Sequence, residues 1–208
     1  MQITYEGCLE AYRRGDYADA LTWARTAAEQ GNAEGQYLLG RMYGYGEGVP
    51  QDFGLALTWL RRAADQGSAE AQYQLGVYFG KGLGVPKDPN EAQKWYLLAA
   101  TNGNAEAQYH LGEYFHQRAR KDLDEAFKWY LLAANQGDAV AQYCLGDLCR
   151  VGWPPDEAYV KAFKWYSLAA NQGNTIGKDS LAHIETLMTP AQIFKAQKLA
   201  REWKPTTK

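Results

Sequence analysis

Three cysteines, three histidines and no long apolar run leave this 208-residue chain with few parts for a disulfide framework, a metal centre or a membrane span. The cysteine count is odd. Cys8 stands apart, and Cys144 and Cys149 are five residues apart, about 140° around a helix, which suits neither a disulfide nor joint ligation of a metal. Buried thiols are expected instead. His110-x-x-Glu113-x-x-His116 has the look of a metal site, but its two imidazoles sit about 240° apart on a helix and do not converge. Ser180 and His183 share a helix face with no supporting acid in phase and no glycine elbow around the serine. The carboxylates have ordinary places at helix starts and on helix exteriors. The sequence therefore predicts a protein that is not an enzyme and carries no cofactor or metal.

Charge of either sign is also scarce. Lys and Arg number 22 against 24 Asp and Glu, a formal net charge of -2. With a pI near 6.0, no strong positive field exists to attract nucleic acid or an anionic membrane. Without about 20 consecutive apolar residues, insertion into a bilayer is not expected. The opening Met1-Gln2-Ile3-Thr4-Tyr5-Glu6 lacks the basic and then apolar character of a secretion signal, so the expected location is the cytoplasm.

What the chain has in abundance is self-similarity. Ser68-Ala69-Glu70-Ala71-Gln72-Tyr73-Gln74-Leu75-Gly76 recurs from Asn32 to Gly40, Asn104 to Gly112 and Asp138 to Gly146, with a worn copy from Asn174 to Ala182. The steps are 36, 36, 34 and 36 residues, and Trp23, Trp59, Trp95, Trp129 and Trp165 keep the same period. A period of this size means a stacked repeat array. Ala71, Leu75, Tyr78 and Phe79 form the apolar stripe of one helix of the unit, helix A. Ala56, Trp59, Leu60 and Ala63 form that of a second, helix B, leaving Thr58, Arg61, Arg62 and Asp65 to solvent.

Helix B is expected to end at Gly31, Gly67, Gly103, Gly137 and Gly173, where the chain needs the left-handed conformation. Asn32, Ser68, Asn104, Asp138 and Asn174 are N-cap residues for the next helix A, and Glu34, Glu70 and Glu106 add negative charge to its first turn. Small residues on helix A, Gly40, Gly76, Gly112 and Gly146, are expected opposite the Ala-Ala pairs of helix B. The loops Gly44 to Pro50 and Gly80 to Pro86 have glycine at every second position, but a helix rather than a strand precedes them, so they read as interhelix turns and not phosphate cradles. The loop from His116 to Asp122 is two residues shorter, which accounts for the single 34-residue step. After Gly173 the pattern decays into a terminal cap, and Thr189-Pro190 opens a last helix with Ile193, Ala196, Leu199, Ala200 and Trp203 inward. Six helical hairpins result, 2–31, 32–67, 68–103, 104–137, 138–173 and 174–203, in one all-α solenoid over residues 1–208.

Ala-Glu-Ala-Gln-Tyr-x-Leu-Gly, the Gly-x-Gly-Val-Pro loop followed by Asp52 or Asp88, and Trp-Tyr-Leu-Leu-Ala-Ala at Trp95 to Ala100 and Trp129 to Ala134 resemble the Sel-one-like repeat (SLR) family, a branch of the tetratricopeptide superfamily. The ending Met188 to Ile193 is similar to that of many bacterial relatives. The resemblance implies a right-handed α/α superhelix and a non-catalytic adaptor that binds a peptide or folded protein. It also implies two alternatives: an immunity or inhibitor protein against one toxin or enzyme, and a lactam-processing hydrolase. The last belongs to a branch with paired cysteines in each repeat, which this sequence lacks.

The side of helix A away from the core stripe is where a partner is expected. Tyr73 lies about 200° from Leu75, with Glu70, Val77 and Lys81 along the same line. Equivalent residues are Tyr37 and Arg41, then Tyr109, Glu113 and His116, then Tyr143, Asp147 and Arg150. In the tetratricopeptide arrangement this line faces the concave groove. Tyrosine supplies contact area at low entropic cost, although the same four rings can instead serve only to pack one repeat on the next. The expected assembly is a monomer with a protein partner.

Overall fold

The computed structural model describes residues 4–118, 122–152 and 155–206, and among them every regular element is an α-helix. The helices are α1 (Tyr5–Arg14), α2 (Tyr17–Glu29), α3 (Ala33–Tyr45), α4 (Phe53–Asp65), α5 (Ala69–Lys81), α6 (Pro89–Thr101), α7 (Ala105–Arg118), α8 (Leu123–Asn135), α9 (Ala139–Gly152), α10 (Pro155–Asn171), α11 (Thr175–Glu185) and α12 (Pro190–Glu202). The first ten form five packed pairs, and α11 and α12 both lie against α10 to close the sixth. Their contacts gather into two compact units, Met1–Asn104 and Ala105–Lys208.

The boundaries follow from local chemistry. Gly31, Gly67, Gly103, Gly137 and Gly173 all have positive φ, between 85° and 97°, so each turns the chain out of a helix B at a conformation strained for any other residue. One residue later, the side chains of Asn32, Ser68, Asp138 and Asn174 accept from the backbone N–H three positions on. Each satisfies a donor that the helix start leaves without a partner. Thr189 caps α12 in the same way and its own N–H donates to Gln192, a reciprocal capping box with Pro190 at the first helical position. The glycine loops are tight turns: Gly46, Gly48, Gly82 and Gly84 are left-handed, and Gly48 and Gly84 press on Tyr17 and Phe53 of the preceding helix B. Residues 119–121 of the shorter third loop lie outside the described residues.

In Met1–Asn104 one buried cluster joins Cys8, Ala20, Leu38, Leu39 and Met42, and a second joins Leu57, Leu60, Leu75 and Tyr78. In Ala105–Lys208 a larger cluster includes Tyr130, Leu145, Phe163, Tyr166 and Ile184. Each fully buried large apolar side chain contributes about 1.5–3 kcal/mol. Thr58, Arg61, Arg62 and Asp65 are exposed, as the helix B phase predicts. The three cysteines are free thiols, Cys8 and Cys149 buried and Cys144 half-buried.

The small residues of helix A are paired differently from the sequence expectation. Gly76, Gly112 and Gly146 face the rings of Tyr96, Tyr130 and Tyr166, and Gly40 faces Leu60; none faces an Ala-Ala pair. It is the residue five positions earlier that meets those pairs: Gly35 lies on Ala27 and Ala28, and Gly177 on Ala169 and Ala170. The reason is rotation. Five residues turn a helix by about 140°, so one helix A uses one small residue against the preceding helix B and another against its own.

A polar element binds each stack. Gln36, Gln72, Gln108 and Gln142 are buried. The Gln142 Nε2 donates to the Ala134 carbonyl of α8 at 3.1 Å, and its Oε1 accepts from Gln172 at the end of α10 at 2.9 Å. Gln72 does the same with Ala64 and Asn102, at 3.1 and 2.9 Å. One side chain thereby ties three helices, and its amide is satisfied on both sides. At the chain end, α12 lies against α10 of the preceding pair, where Trp203 meets Trp165 edge-on at 6.3 Å. Ala196 is fully buried there, whereas Leu199, expected inward, is 38% exposed.

Candidate interaction face

Helix A residues that face away from the stack carry the charges and half-buried tyrosines of the expected face, and the two units arrange them separately. In Met1–Asn104, Tyr37 is half-buried against the Leu57–Leu60–Leu75 cluster. Arg41, one turn later, places its guanidinium 4.9 Å above the Tyr12 ring and 5.8 Å from that of Tyr45. Tyr12 in turn donates its hydroxyl to the Glu47 carboxylate. Burial pushes the Tyr37 hydroxyl up and the Arg41 charge opposes it, while Glu70 on α5 is near enough to reinforce the rise. Tyr73 is half-buried, its ring 5.7 Å from Tyr96. Val77 is half-buried, and Glu70 and Lys81 are exposed.

In Ala105–Lys208 the tyrosine pairs recur. Tyr109 packs on Tyr130 at 6.0 Å, and Tyr143 stacks on Tyr166 at 6.0 Å with 28° between the planes. The row Tyr73, Tyr109 and Tyr143 is thus shared between core and surface, each ring leaning on a helix B tyrosine. Those inner tyrosines reach outward with their hydroxyls. Tyr130 donates to Glu113 at 2.5 Å and lies 3.4 Å from the His116 Nδ1. Tyr166 donates to Asp147 at 3.0 Å, and the same carboxylate oxygen accepts from the Arg150 guanidinium at 3.1 Å. Burial is the first cause holding both hydroxyls well above the usual tyrosine range, and the adjacent carboxylates add to it. Both therefore remain donors at any physiological pH.

Asp147 and Arg150 line an open cavity of about 420 Å³ together with Tyr166, Asp179, Ser180 and His183. The structure thus brings α11 residues into a site that the sequence reading confined to α9. Asp179 occupies the repeat position of the tyrosines, 36 residues after Tyr143, so the worn last copy carried a signal for it. Two carboxylates share the cavity with Ser180 and His183, Asp147 from α9 and Asp179 from their own helix. Among the described residues, however, no hydrogen bond joins that serine to that histidine, and no group of three or more His, Cys, Asp or Glu side chains could hold a metal ion. Tyr130 and Tyr166, which fix the face, were visible in the sequence only as the residue following each repeat tryptophan.

The Sel1 repeat family profile matches residues 10–32, 33–68, 69–104, 105–138 and 139–174. The chain belongs to the Sel1 repeat family. A solved Sel1 repeat protein from Oxalobacter formigenes is 34% identical, with a TM-score of 0.75, over 81% of this chain and 49% of that one. The Sel1 chain described here therefore spans about half the length of that protein. An immunity protein from Pseudomonas aeruginosa shares the fold at 22% identity and a TM-score of 0.58, covering 97% of this chain and 80% of its own. A second immunity protein from that organism does so at 19% identity and 0.59, covering 97% and 84%. No curated protein sequence matches the chain. Sel1 repeat proteins are in general protein-interaction scaffolds, and no described helix is long and apolar enough to cross a membrane.

Proposed function

We propose that this Sel1 repeat chain is a non-catalytic adaptor, a monomer that holds a peptide or a folded protein against the outward faces of its A helices. The observation that carries this reading is the cavity between α9, α10 and α11, where Asp147 and Arg150 are held in place by the buried Tyr166 beside Asp179, Ser180 and His183. Charged groups fixed in advance lose little entropy on binding, which favours recognition. Free thiols at Cys8, Cys144 and Cys149 suit a reducing compartment and support placement in the cytoplasm.

The test compares variants on the two sides of the repeats, with the partner captured from the source cell as the ligand. Arg41→Ala, Glu113→Ala and Arg150→Ala weaken its binding, whereas Arg62→Ala and Lys128→Ala on exposed helix B positions leave it intact. Binding that responds only to the helix B variants overturns the assignment of the face, and turnover of any member of a lactam panel by the purified chain overturns the non-catalytic part. A second reading, an immunity protein that neutralises one toxin, draws on the fold shared with the two Pseudomonas aeruginosa immunity proteins over nearly the whole chain. Protection of cells from a toxin encoded beside its gene selects that reading over the adaptor.

A further inference from the structure

The Ala105–Lys208 unit repeats one device. Tyr130 and Tyr166, 0% and 1% exposed, each send a hydroxyl from the core to a carboxylate at the surface, Glu113 on α7 and Asp147 on α9. A third carboxylate, Asp179 on α11, stands at the wall of the cavity without an ion pair or hydrogen bond among the described residues. Among the described residues of that wall Arg150 is the one cation, and it is already bonded to Asp147. Beside His183, the described wall has two negative charges and one positive. An anion reaching Arg150 would share the cavity with Asp147 and Asp179 and be repelled by both. A cation instead meets Asp179 unshared, with the stacked Tyr143 and Tyr166 rings close by.

We propose that the α9–α10–α11 cavity receives a lysine or arginine side chain from an extended basic segment of a protein partner. This rests on the adaptor reading and specifies its ligand. The geometry also sets a register. Helices α7 and α9 touch, and packed helices lie about 8–10 Å apart. That separation is about three residues of extended chain at roughly 3.3 Å each. A second basic side chain three residues from one seated beside Asp147 on α9 therefore reaches Glu113 on α7.

The probe is a fluorescent peptide, Ala-Arg-Ala-Ala-Arg-Ala with blocked ends, titrated into the full chain at low salt and followed by anisotropy. Asp179→Asn weakens its binding about two- to fivefold, the range for an exposed ion pair. Asp147→Asn combined with Asp179→Asn weakens it further, and salt weakens the wild type more than the double variant. Asparagine at 147 still accepts from Tyr166, so both variants keep the wild-type circular dichroism spectrum. Competition by the matching Glu peptide, or an affinity unmoved by the double variant, overturns the proposal. If the captured partner depends on the face while the arginine peptide ignores Asp147 and Asp179, the basic ligand is wrong and the adaptor reading stands. If neither depends on the face, both readings fall.

Discussion

The two units hold the charged positions of helix A by opposite means. In Met1–Asn104 a cation, Arg41, lies over the rings of Tyr12 and Tyr45, and the helix B residue facing Gly40 is Leu60. In Ala105–Lys208 two anions, Glu113 and Asp147, accept from the hydroxyls of Tyr130 and Tyr166, which face Gly112 and Gly146. The hairpin of α5 and α6 shows what divides them. Tyr96 fits over Gly76 just as its counterparts fit over theirs, but the residue at the acid position is Val77. A tyrosine on helix B and an acid on helix A are both required, and only the second unit supplies both.

High pH is expected to act most strongly and to separate the units. Burial pushes the thiols of Cys144 and Cys149 up to about 12 and about 11, and the Tyr109 hydroxyl to about 12. Tyr130 and Tyr166 are raised beyond these by burial. In the first unit, burial raises Cys8 to about 11 and Tyr78 to about 12, and it raises Tyr12 further. Each group is held neutral by the fold, so its contribution is fully present below its unfolded value, near 9 for thiols and 10 for tyrosines. It is lost as pH rises toward the folded value. Helicity therefore falls between about pH 9 and 12, and limited proteolysis across that range cuts Ala105–Lys208 first, since it holds two raised thiols, Cys144 and Cys149, against Cys8 in Met1–Asn104, and thiols have the lower unfolded value. Equal resistance of both units at pH 11 would remove the contrast.

Next in size is the glutamine tie. Gln142→Ala deletes a fully buried side chain with two hydrogen bonds and takes the acceptor from the Gln172 amide, while the Ala134 carbonyl keeps the Gly137 N–H, a cost of about 2–4 kcal/mol in urea unfolding. Gln36→Ala costs less, because Gln36 is less buried and its bond to Ala28 is longer, at 3.3 Å.

These ties and clamps show where sequence reading succeeds. Helix starts and ends were legible because Asn32, Ser68 or Gly103 acts on its own neighbours in the chain. The buried glutamine was legible as a recurrence, though not as a tie, since its partners Ala134 and Gln172 are set by how three helices meet. The Gly112–Tyr130 contact depends on helix rotation about its axis, which periodicity leaves open by a residue or two. The cavity joins α9 to α11 through residues some thirty positions apart, and the decay of the last repeat hid Asp179 in a tyrosine's place.

The glycine contacts provide a third, smaller contrast. A Cβ at Gly112 meets ring atoms of the buried Tyr130 at 2.4–2.9 Å, so Gly112→Ala is expected to destabilise by about 1–3 kcal/mol. At Gly80, in the last turn of α5, the nearest atom is 3.6 Å away, and Gly80→Ala is expected to stabilise by about 0.5–1 kcal/mol through its helix propensity. Thermal melts of the two variants shift in opposite directions. A common sign would mean that the close approach on Tyr130 is not what selects glycine at 112.

The smallest effect bears most directly on the acidic face. Tyr130→Phe keeps the ring over Gly112 but removes the donor to Glu113, and the carboxylate, only half-buried, turns to water. The net loss is about 0.5–1.5 kcal/mol. Tyr166→Phe costs less, because Asp147 retains Arg150 as a partner at 3.1 Å. If both tyrosines serve only as packing, the two variants melt alike and like the wild type. If the hydroxyls position the acids, Tyr130→Phe melts lower than Tyr166→Phe and loses more of its affinity for the arginine peptide at the Glu113 end. Only the positioning role moves stability and peptide register together.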